Sequence, residues 1–475
     1  MTLQTKRIDV RAVENLRSRL HGALLRPGEE GYEWARAAWN LNARQSPAVV
    51  IVAEEAEDVL VAVRFARDAG LGVGVMATGH GVGTPADGGV LINTSRMRGV
   101  RVDPVLRTAR VEAGALWKDV IPVAHAHGLA TLAGSAPHVG VVGYTMGGGF
   151  GWLGRRYGLN SASVTEAMVV TANGEPLRVR PDENKDLFWG LKGGGGNFGI
   201  VTSLEFRLYP LVTVFGGSAF YSVERASEVL GAYARWSAGL PDEMTTAVAF
   251  MNIPPLPRLP EPLRGRSVVV VKGAYSGEKP GDGEEMFQTF RQGFGEPIID
   301  TFGEMPVAQM DRISMDPVDP LGVIQHAEIL SDLSPGAVDA LVRVAGAGSG
   351  SPLIILEVRQ LGGALSRAPE HLNLLGSGRF SMNAIGATFS PEMEEGVTER
   401  IAQLVEETRQ YQTGRTFVNF MEEDPVEDRV RAGYTTEDWE RLVALKDEYD
   451  PHNLFRFNRN IPPSRKNGRA ERNGK

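Results

Sequence analysis

Two hydrophobic periods alternate along the first two hundred residues. PAVVIVA, at 47–53, is a short continuous apolar run of the kind a buried strand needs, and EAEDVLVAVRFARDAG then places Val59, Val63 and Ala66 on one helical stripe. Gly70 offers the left-handed cap that ends such a helix, and GVGVM and GVLINT follow as strands. A second unit repeats the alternation, with TARVEAG as a strand and ALWKDVIPVAHAHG as a helix stopped at Gly128. In AMVVTANGEPLRV the pair Asn173-Gly174 sits between strand-forming runs, which predicts a hairpin with both turn residues at positive φ. In GIVTSLEFRLYP, Leu204, Phe206 and Leu208 alternate with Ser203, Glu205 and Arg207, so one face is buried, and Pro210 is expected to close the strand and the domain.

The texture changes near residue 213. NIPPLPRLPEPLRG (252–265) reads as a loop feeding the strand SVVVVKGAYSG, and LIILEVRQLGG and FSMNAIGATFS are further strands beside helical stretches such as MEEGVTERIAQLVEETRQY. These predict a separate α+β domain whose sheet could wall a pocket. TEDWERLVALKDEYD is a helix stopped before Pro451, followed by an extended, strand-like piece and a polar tail, SRKNGRAERNGK. The expected divisions are 1–212 (core about 44–212), 213–415, 416–464 and a flexible 465–475. At 475 residues the chain is about three typical domains long, so more than one core is required.

Composition narrows the chemistry. There is no cysteine, which removes disulfides, zinc fingers, iron–sulfur clusters and thiol nucleophiles together. Fifty basic against 58 acidic side chains leave a net charge of -8, without the basic footprint of a nucleic-acid or anionic-membrane partner. The first twenty residues lack a signal-peptide apolar core and the glycine-rich 134–154 stretch cannot span a bilayer, so a cytoplasmic protein acting on small molecules is expected. No metal is expected, because there is no H-E-x-x-H and no histidine pair at i,i+4. A triad hydrolase would need a G-x-S-x-G elbow, which is also missing.

Three glycine-rich loops remain: MATGHGVG (76–83), GYTMGGGFGWLG (143–154) and LKGGGGNFGIV (191–201). Glycines at this density let backbone N–H groups approach a pyrophosphate, or simply close tight turns. Gly149, Gly151 and Gly154 fit G-x-G-x-x-G, but they follow loop rather than strand and no acidic residue is clearly placed about twenty residues on; there is no GxxxxGK[ST].

The order of these pieces is more specific than any one of them. The GH loop ending at His80, SAPHVGVVGYTMGGGFGWLGRRYGLNSASV, NKDLFWGLKGGGGNFGIVTSLEF and the terminal YDPHNLFRFNRNI together resemble the FAD-linked oxidases of the vanillyl-alcohol oxidase superfamily, in its berberine-bridge-enzyme-like group. The resemblance implies an α+β protein: a two-part PCMH-type FAD-binding domain, closed by a berberine-bridge-like segment at 416–464, and a separate substrate domain built on an antiparallel sheet. It further implies that Ala77, Thr78, Gly79, His80 and Gly81 bind the pyrophosphate side. Gly140, Gly143, Gly149 and Gly151 would let the flavin pass, Ile200 would meet the adenine side, and Asn458 and Asn460 would lie near the ring.

His80 occupies the position whose neutral imidazole can add to the electrophilic 8α carbon of a flavin quinone-methide tautomer, giving a covalent histidyl-FAD. Many relatives add a second link through a cysteine where this chain has Ala136, so the tether is expected through His80 alone. His138, two residues on, is a substrate contact or a loop residue. Tyr144 either donates a hydrogen bond toward the flavin or packs in the core. Val139 stands beside the flavin C4a position and resembles the oxygen-reactive members, which favours an oxidase releasing hydrogen peroxide.

Two phenols common in relatives are replaced, by Val82 and by Phe417 in Phe417-Val418-Asn419-Phe420. The candidates left for catalysis are Tyr434, Tyr144, Glu357, Arg359 and Asn383, with His326 behind them; each is also accountable as structural. Glu357 and Arg359 share one face of their strand by period-two alternation. The expectation is an FAD-dependent oxidoreductase, an oxidase moving a hydride from an organic alcohol, amine or similar C–H substrate to flavin and then to molecular oxygen. The rivals are a flavin dehydrogenase with another acceptor, a flavin-binding protein without turnover, and a colourless α/β binder. Oligomeric state is left open.

Overall fold

Strands β1 (Ala23–Leu25), β2 (Val49–Val52), β3 (Val73–Met76) and β4 (Val90–Asn93) form a sheet in the order β1-β2-β4-β3, with β2 and β3 parallel to β4. The computed structural model from which this follows describes residues 9–292, 296–367, 372–421 and 427–464. β2 and β4 are buried at every position, as continuous apolar runs in a parallel sheet require. The helix Ala56–Ala69 turns Val59, Val63 and Ala66 into the core and ends at Gly70, whose φ of 67° provides the left-handed cap. Asp58, fully buried, accepts the backbone N–H groups of His21, Gly22 and Glu54, which ties the N-terminal strand to this helix.

Next come β5 (Val100–Asp103), β6 (Thr108–Glu112), β7 (Leu129–Ala130), β8 (Val164–Val170), β9 (Pro176–Val179), β10 (Ile200–Arg207) and β11 (Tyr209–Pro210). Five of them make an antiparallel sheet, β5-β6-β10-β8-β9, and β7 pairs with β11. β10 keeps the expected alternation, with Leu204 and Phe206 fully buried. The β8–β9 hairpin forms as well, but only Gly174 has positive φ, at 70°; Asn173 does not, because Thr171 closes the loop by a backbone pair with Glu175. Pro210 closes not β10, which ends at Arg207, but the short β11 that follows it. Lacking an N–H, it sits at the edge in β11, and the chain enters the next sheet three residues later.

That sheet contains β12 (Thr213–Ser222), β13 (Met244–Asn252), β14 (Ser267–Tyr275), β15 (Ile299–Asp300), β16 (Gly303–Pro306), β17 (Val323–Leu330), β18 (Leu353–Gln360) and β19 (Phe380–Ala387). The order is β15-β12-β14-β13-β18-β19-β17, with β16 beside β12, and every pairing is antiparallel. Helices Ala226–Ser237, Pro280–Arg291, Pro335–Ala345 and Pro391–Thr408 supply Val229, Phe287, Leu341 and Ile401 to a core with Leu356, Val358, Met382 and Ala384 on one face of the sheet. The alternate residues Ile355, Glu357, Arg359, Asn383 and Ile385 therefore point the other way, toward the first two sheets.

The last helix, Thr436–Tyr449, stops before Pro451 as the proline demands, but no strand follows it. Residues 450–464 are irregular and are held by side chains instead of by a ladder. The expected tail, 465–475, lies outside the described residues. Among the described residues no helix is long and apolar enough to cross a membrane.

Candidate functional site

A cleft of about 490 Å³ runs between the open face of the large sheet and the two smaller sheets, within the size range of small-ligand sites. All three glycine loops contribute to its wall, through residues 76–84, 134–147 and 194–197, and so does the irregular C-terminal segment through Phe455, Phe457, Asn458 and Arg459.

At one end stands His80. Its Nδ1 lies 2.8 Å from the Thr78 hydroxyl, while Nε2 is buried with no hydrogen-bond partner. The ring stacks on Trp39, centroids 4.6 Å apart and 16° from parallel, and lies 4.9 Å from the ring of His138. Burial, helped by the neighbouring His138, pushes the His80 imidazole down to about 3, so it is neutral across the physiological range. His138 is also lowered, by burial, although Asp316 pulls the other way. Gly79 has φ 76°, and a Cβ there would come within 2.5 Å of the Ala38 backbone, so the GH turn requires glycine. Ala77, Thr78, Gly81, Ala136, Val139, Gly140, Gly143 and Ile200 all line the cleft. A Cβ on Gly143 would have no atom within 4 Å, which leaves its backbone open to a ligand.

Gly149 and Gly151 are placed differently from expectation, because neither lines the cleft. A Cβ on Gly149 would meet the Tyr144 ring at 2.5 Å, and one on Gly151 would sit 1.9 Å from the Ala133 carbonyl oxygen, so both serve packing behind the wall. The glycine that does line it there is Gly147, closely covered by Asn419. The Tyr144 hydroxyl donates to the Leu132 carbonyl at 3.1 Å, and its ring meets Trp117 edge-on at 5.5 Å. Of the two readings of Tyr144, packing is the one its contacts describe. Tyr434 borders the cleft, but its hydroxyl donates to the Gly193 carbonyl at 3.0 Å, and burial raises both phenols, so neither is a ready proton acceptor.

The floor is the sheet. Glu357 is nearly buried between two cations: Lys272 Nζ reaches Oε2 at 3.2 Å, while Arg359 Nε and Nη2 reach Oε1 at 3.0 and 2.7 Å. Burial alone would raise the carboxyl, but the Arg359 and Lys272 charges hold it below the usual carboxylate range. Asn383 pairs in register with Glu357 and accepts a hydrogen bond from Gln325 at 2.9 Å. His326 is not behind this group. It pairs in register with Ala384, on the helix-covered face, and contacts Glu328 and Arg429 there.

The C-terminal segment is woven into the third glycine loop. Asn197 Oδ1 accepts from the Ile461 N–H at 2.8 Å, its Nδ2 donates to Arg459, and buried Lys446 donates to the carbonyls of Asn197 and Phe455 as well as to Asp450. Asn458 lines the cleft and its Oδ1 is buried without a partner; Asn460 also carries an unpartnered Oδ1 but does not line the cleft.

Sequence reasoning missed Trp39, Lys272, Asn197 and the Lys446–Asp450 pair. Lys272 had a signal, a lone charge inside SVVVVKGAY, where burial demands a partner. Trp39 had none; it ties the site to the residues beyond 317 by bonding Thr78 and Leu321 through its backbone and Val318 through its indole.

The residues fit a flavin nucleotide on structural grounds. Unpartnered buried polar atoms of His80, Asn419 and Asn458 edge the cleft, and open glycine backbone at Gly143 borders it. A family model described as an FAD binding domain matches residues 47–180, and one described as berberine and berberine like matches 416–462. The (R)-6-hydroxynicotine oxidase of Paenarthrobacter nicotinovorans is 27% identical over 463 residues, covering 94% of this chain and 97% of the relative. An FAD-linked oxidoreductase of Dictyostelium discoideum is 27% identical over 454 residues, 94% of this chain and 95% of the relative. Among solved structures, 6-hydroxy-D-nicotine oxidase from Arthrobacter nicotinovorans superposes with a TM-score of 0.82 at 25% identity, covering 94% of this chain and 98% of that one.

Proposed function

The chain belongs to the berberine-bridge-enzyme-like FAD-dependent oxidoreductases, and from that premise we propose that it is an oxidase of small organic alcohols or amines, with its FAD anchored covalently by His80 alone. One observation carries the proposal: a single cleft joins a neutral, partly buried imidazole at one end to a hydrogen-bonded polar floor at the other. Bound FAD supplies the redox chemistry, accepting a hydride from a substrate C–H bond and passing the electrons to dioxygen.

This chain's residues supply the rest. His80 keeps its lone pair because burial keeps it unprotonated; Nε2 has no hydrogen-bond partner, while Nδ1 lies 2.8 Å from the Thr78 hydroxyl. Ala136 has no thiol, so no second bond is available. Trp39 and His138 hold the imidazole plane, and the Thr78 hydroxyl pairs with its Nδ1. Val139 leaves room for oxygen. On the floor, Gln325 and Asn383 orient the substrate, while Glu357, held ionised by two cations, does not serve as a base of raised affinity for protons. Such a floor suits a substrate whose oxidation is driven by hydride transfer and positioning.

Purified protein is denatured, separated from free small molecules, and examined by visible spectrum and mass. The proposal expects one FAD mass on the wild-type chain and none on His80→Ala; complete release from the wild type refutes the tether and leaves the fold untouched. A substrate screen that follows peroxide separates an oxidase from a dehydrogenase, which would be reduced by substrate and reoxidise slowly in air.

A further inference from the structure

The row of side chains facing the cleft from the large sheet has an unbalanced charge. Lys272 on β14 and Arg359 on β18 both stand opposite Ala247 on β13, and Glu357 lies between them one pleat along. Two cations therefore share one carboxylate, and each Glu357 oxygen is already taken by one of them. All three side chains are nearly buried, at 1%, 8% and 11% exposure for Lys272, Arg359 and Glu357. A net positive charge held out of water this way is costly unless an anion meets it.

The place where an anion would meet it is open. Arg359 lines the cleft, spends Nε and Nη2 on Glu357, and rests against the rings of Trp152 and Phe150, 4.5 and 5.3 Å from their centres. Its Nη1 makes no hydrogen bond among the described residues. Two buried hydroxyls are also unpartnered: that of Ser381, which pairs in register with Arg359 on the neighbouring strand β19, and that of Ser314, which lines the same cleft. Carboxylates are what a guanidinium with a spare N–H and adjacent hydroxyl donors recognises.

We propose that the substrate carries a carboxylate, received by Arg359 Nη1 on the floor of the cleft, while Glu357, itself bonded to Lys272, takes the guanidinium's Nε and Nη2. This rests on reading the cleft as the substrate site of an oxidoreductase.

The test is calorimetric titration of the flavin-loaded protein with benzoate and with its neutral isostere benzamide. Wild type should prefer benzoate by roughly 10- to 100-fold, the span of a hydrogen bond to a charged group. Arg359→Gln should bring the ratio to about one with the flavin content unchanged, Arg359→Lys should keep part of it, and Glu357→Gln, which removes the competing carboxylate, should increase it. Should Arg359→Gln fail to fold, the Lys and Glu357→Gln variants still carry the test. Equal binding of the two probes by wild type overturns the proposal. So does a preference that survives in Arg359→Gln, or an Arg359→Gln variant whose flavin potential alone changes, since the cation would then serve the ring. A colourless protein would refute the flavin reading instead, and the calorimetric ratio would still report on the carboxylate.

Discussion

Lys446→Met should release the C-terminal wall of the cleft without unfolding the sheets. Lys446 and Asp450 are both completely buried, four residues apart around the end of the last helix. The ammonium uses all three of its protons, on Asp450 at 2.7 Å and on the carbonyls of Asn197 at 2.8 Å and Phe455 at 3.1 Å, while Asp450 accepts the N–H groups of Leu454 and Phe455 at 2.7 and 2.9 Å. Burial pushes the Lys446 ammonium below its ordinary value despite the pull of Asp450, so the pair is held by its geometry rather than by surplus attraction. Methionine fills the volume but leaves a buried carboxylate without its cation and two carbonyls without donors.

Breaking one side of such a pair costs about 3–5 kcal/mol, which at about 1.4 kcal/mol per tenfold is roughly a 10²- to 10⁴-fold rise in local opening. Because 450–464 has no ladder, that opening falls on this segment first. Hydrogen exchange followed by mass spectrometry should show amides of 454–461 accelerating by that factor, with β2, β4 and β10 unchanged, and attachment of FAD to apoprotein should slow with them because Asn458 and Arg459 line the cleft. Adding Asp450→Asn should recover part of the loss by removing the stranded charge. Exchange within about threefold of wild type in the single variant would show that the clasp does not hold the wall, and the reasoning would fail.

Gly143→Ala and Gly151→Ala should separate ligand space from packing space. The first adds a methyl with no neighbour within 4 Å and should leave unfolding of the flavin-free protein unchanged while weakening FAD binding; the second drives a Cβ to 1.9 Å from the Ala133 carbonyl and should cost about 1–3 kcal/mol or more, read as a lower melting temperature. Glu357 is depressed in the folded state, so the stability it contributes is present above its unfolded value near 4.5 and is lost as pH falls through its lower folded value; acid unfolding of Glu357→Gln should be less steep in that window than wild type. With His80 pushed down to about 3, the rate of FAD attachment to apoprotein should be flat from pH 5 to 8, and a titration centred near 6.5 in that rate would contradict the burial of the ring.

What the chain made legible was what backbone periodicity and steric demand write locally. Val59, Val63 and Ala66 had to face a core, β10 had to alternate, and Gly79 had to be glycine beside a histidine that chemistry could use. The glycine clusters were harder, since a residue without a side chain announces a close approach without saying what approaches. Gly143 meets open space and Gly151 meets the Ala133 carbonyl, yet the two look alike in GYTMGGGFGWLG. The partners of Tyr144 and Tyr434 were not legible either, because Leu132 and Gly193 accept through backbone carbonyls that any residue carries.

The charge on the floor was the least legible feature, for a definite reason. Period two put Glu357 and Arg359 on one face. Only the sheet order, with β13 interposed between β14 and β18, brings Lys272 from 85 residues away to the same carboxylate. A strand order is a long-range property set by how helices cover one face, and no local pattern encodes it. The pair thereby becomes a net cation, and the floor of the cleft becomes one that selects for charge. The missing phenols at Val82 and Phe417 then follow the same logic: with no tyrosine placed to draw a proton from an alcohol, selection rests on what Arg359 can hold, and the position of the bound anion decides which C–H bond is presented for oxidation.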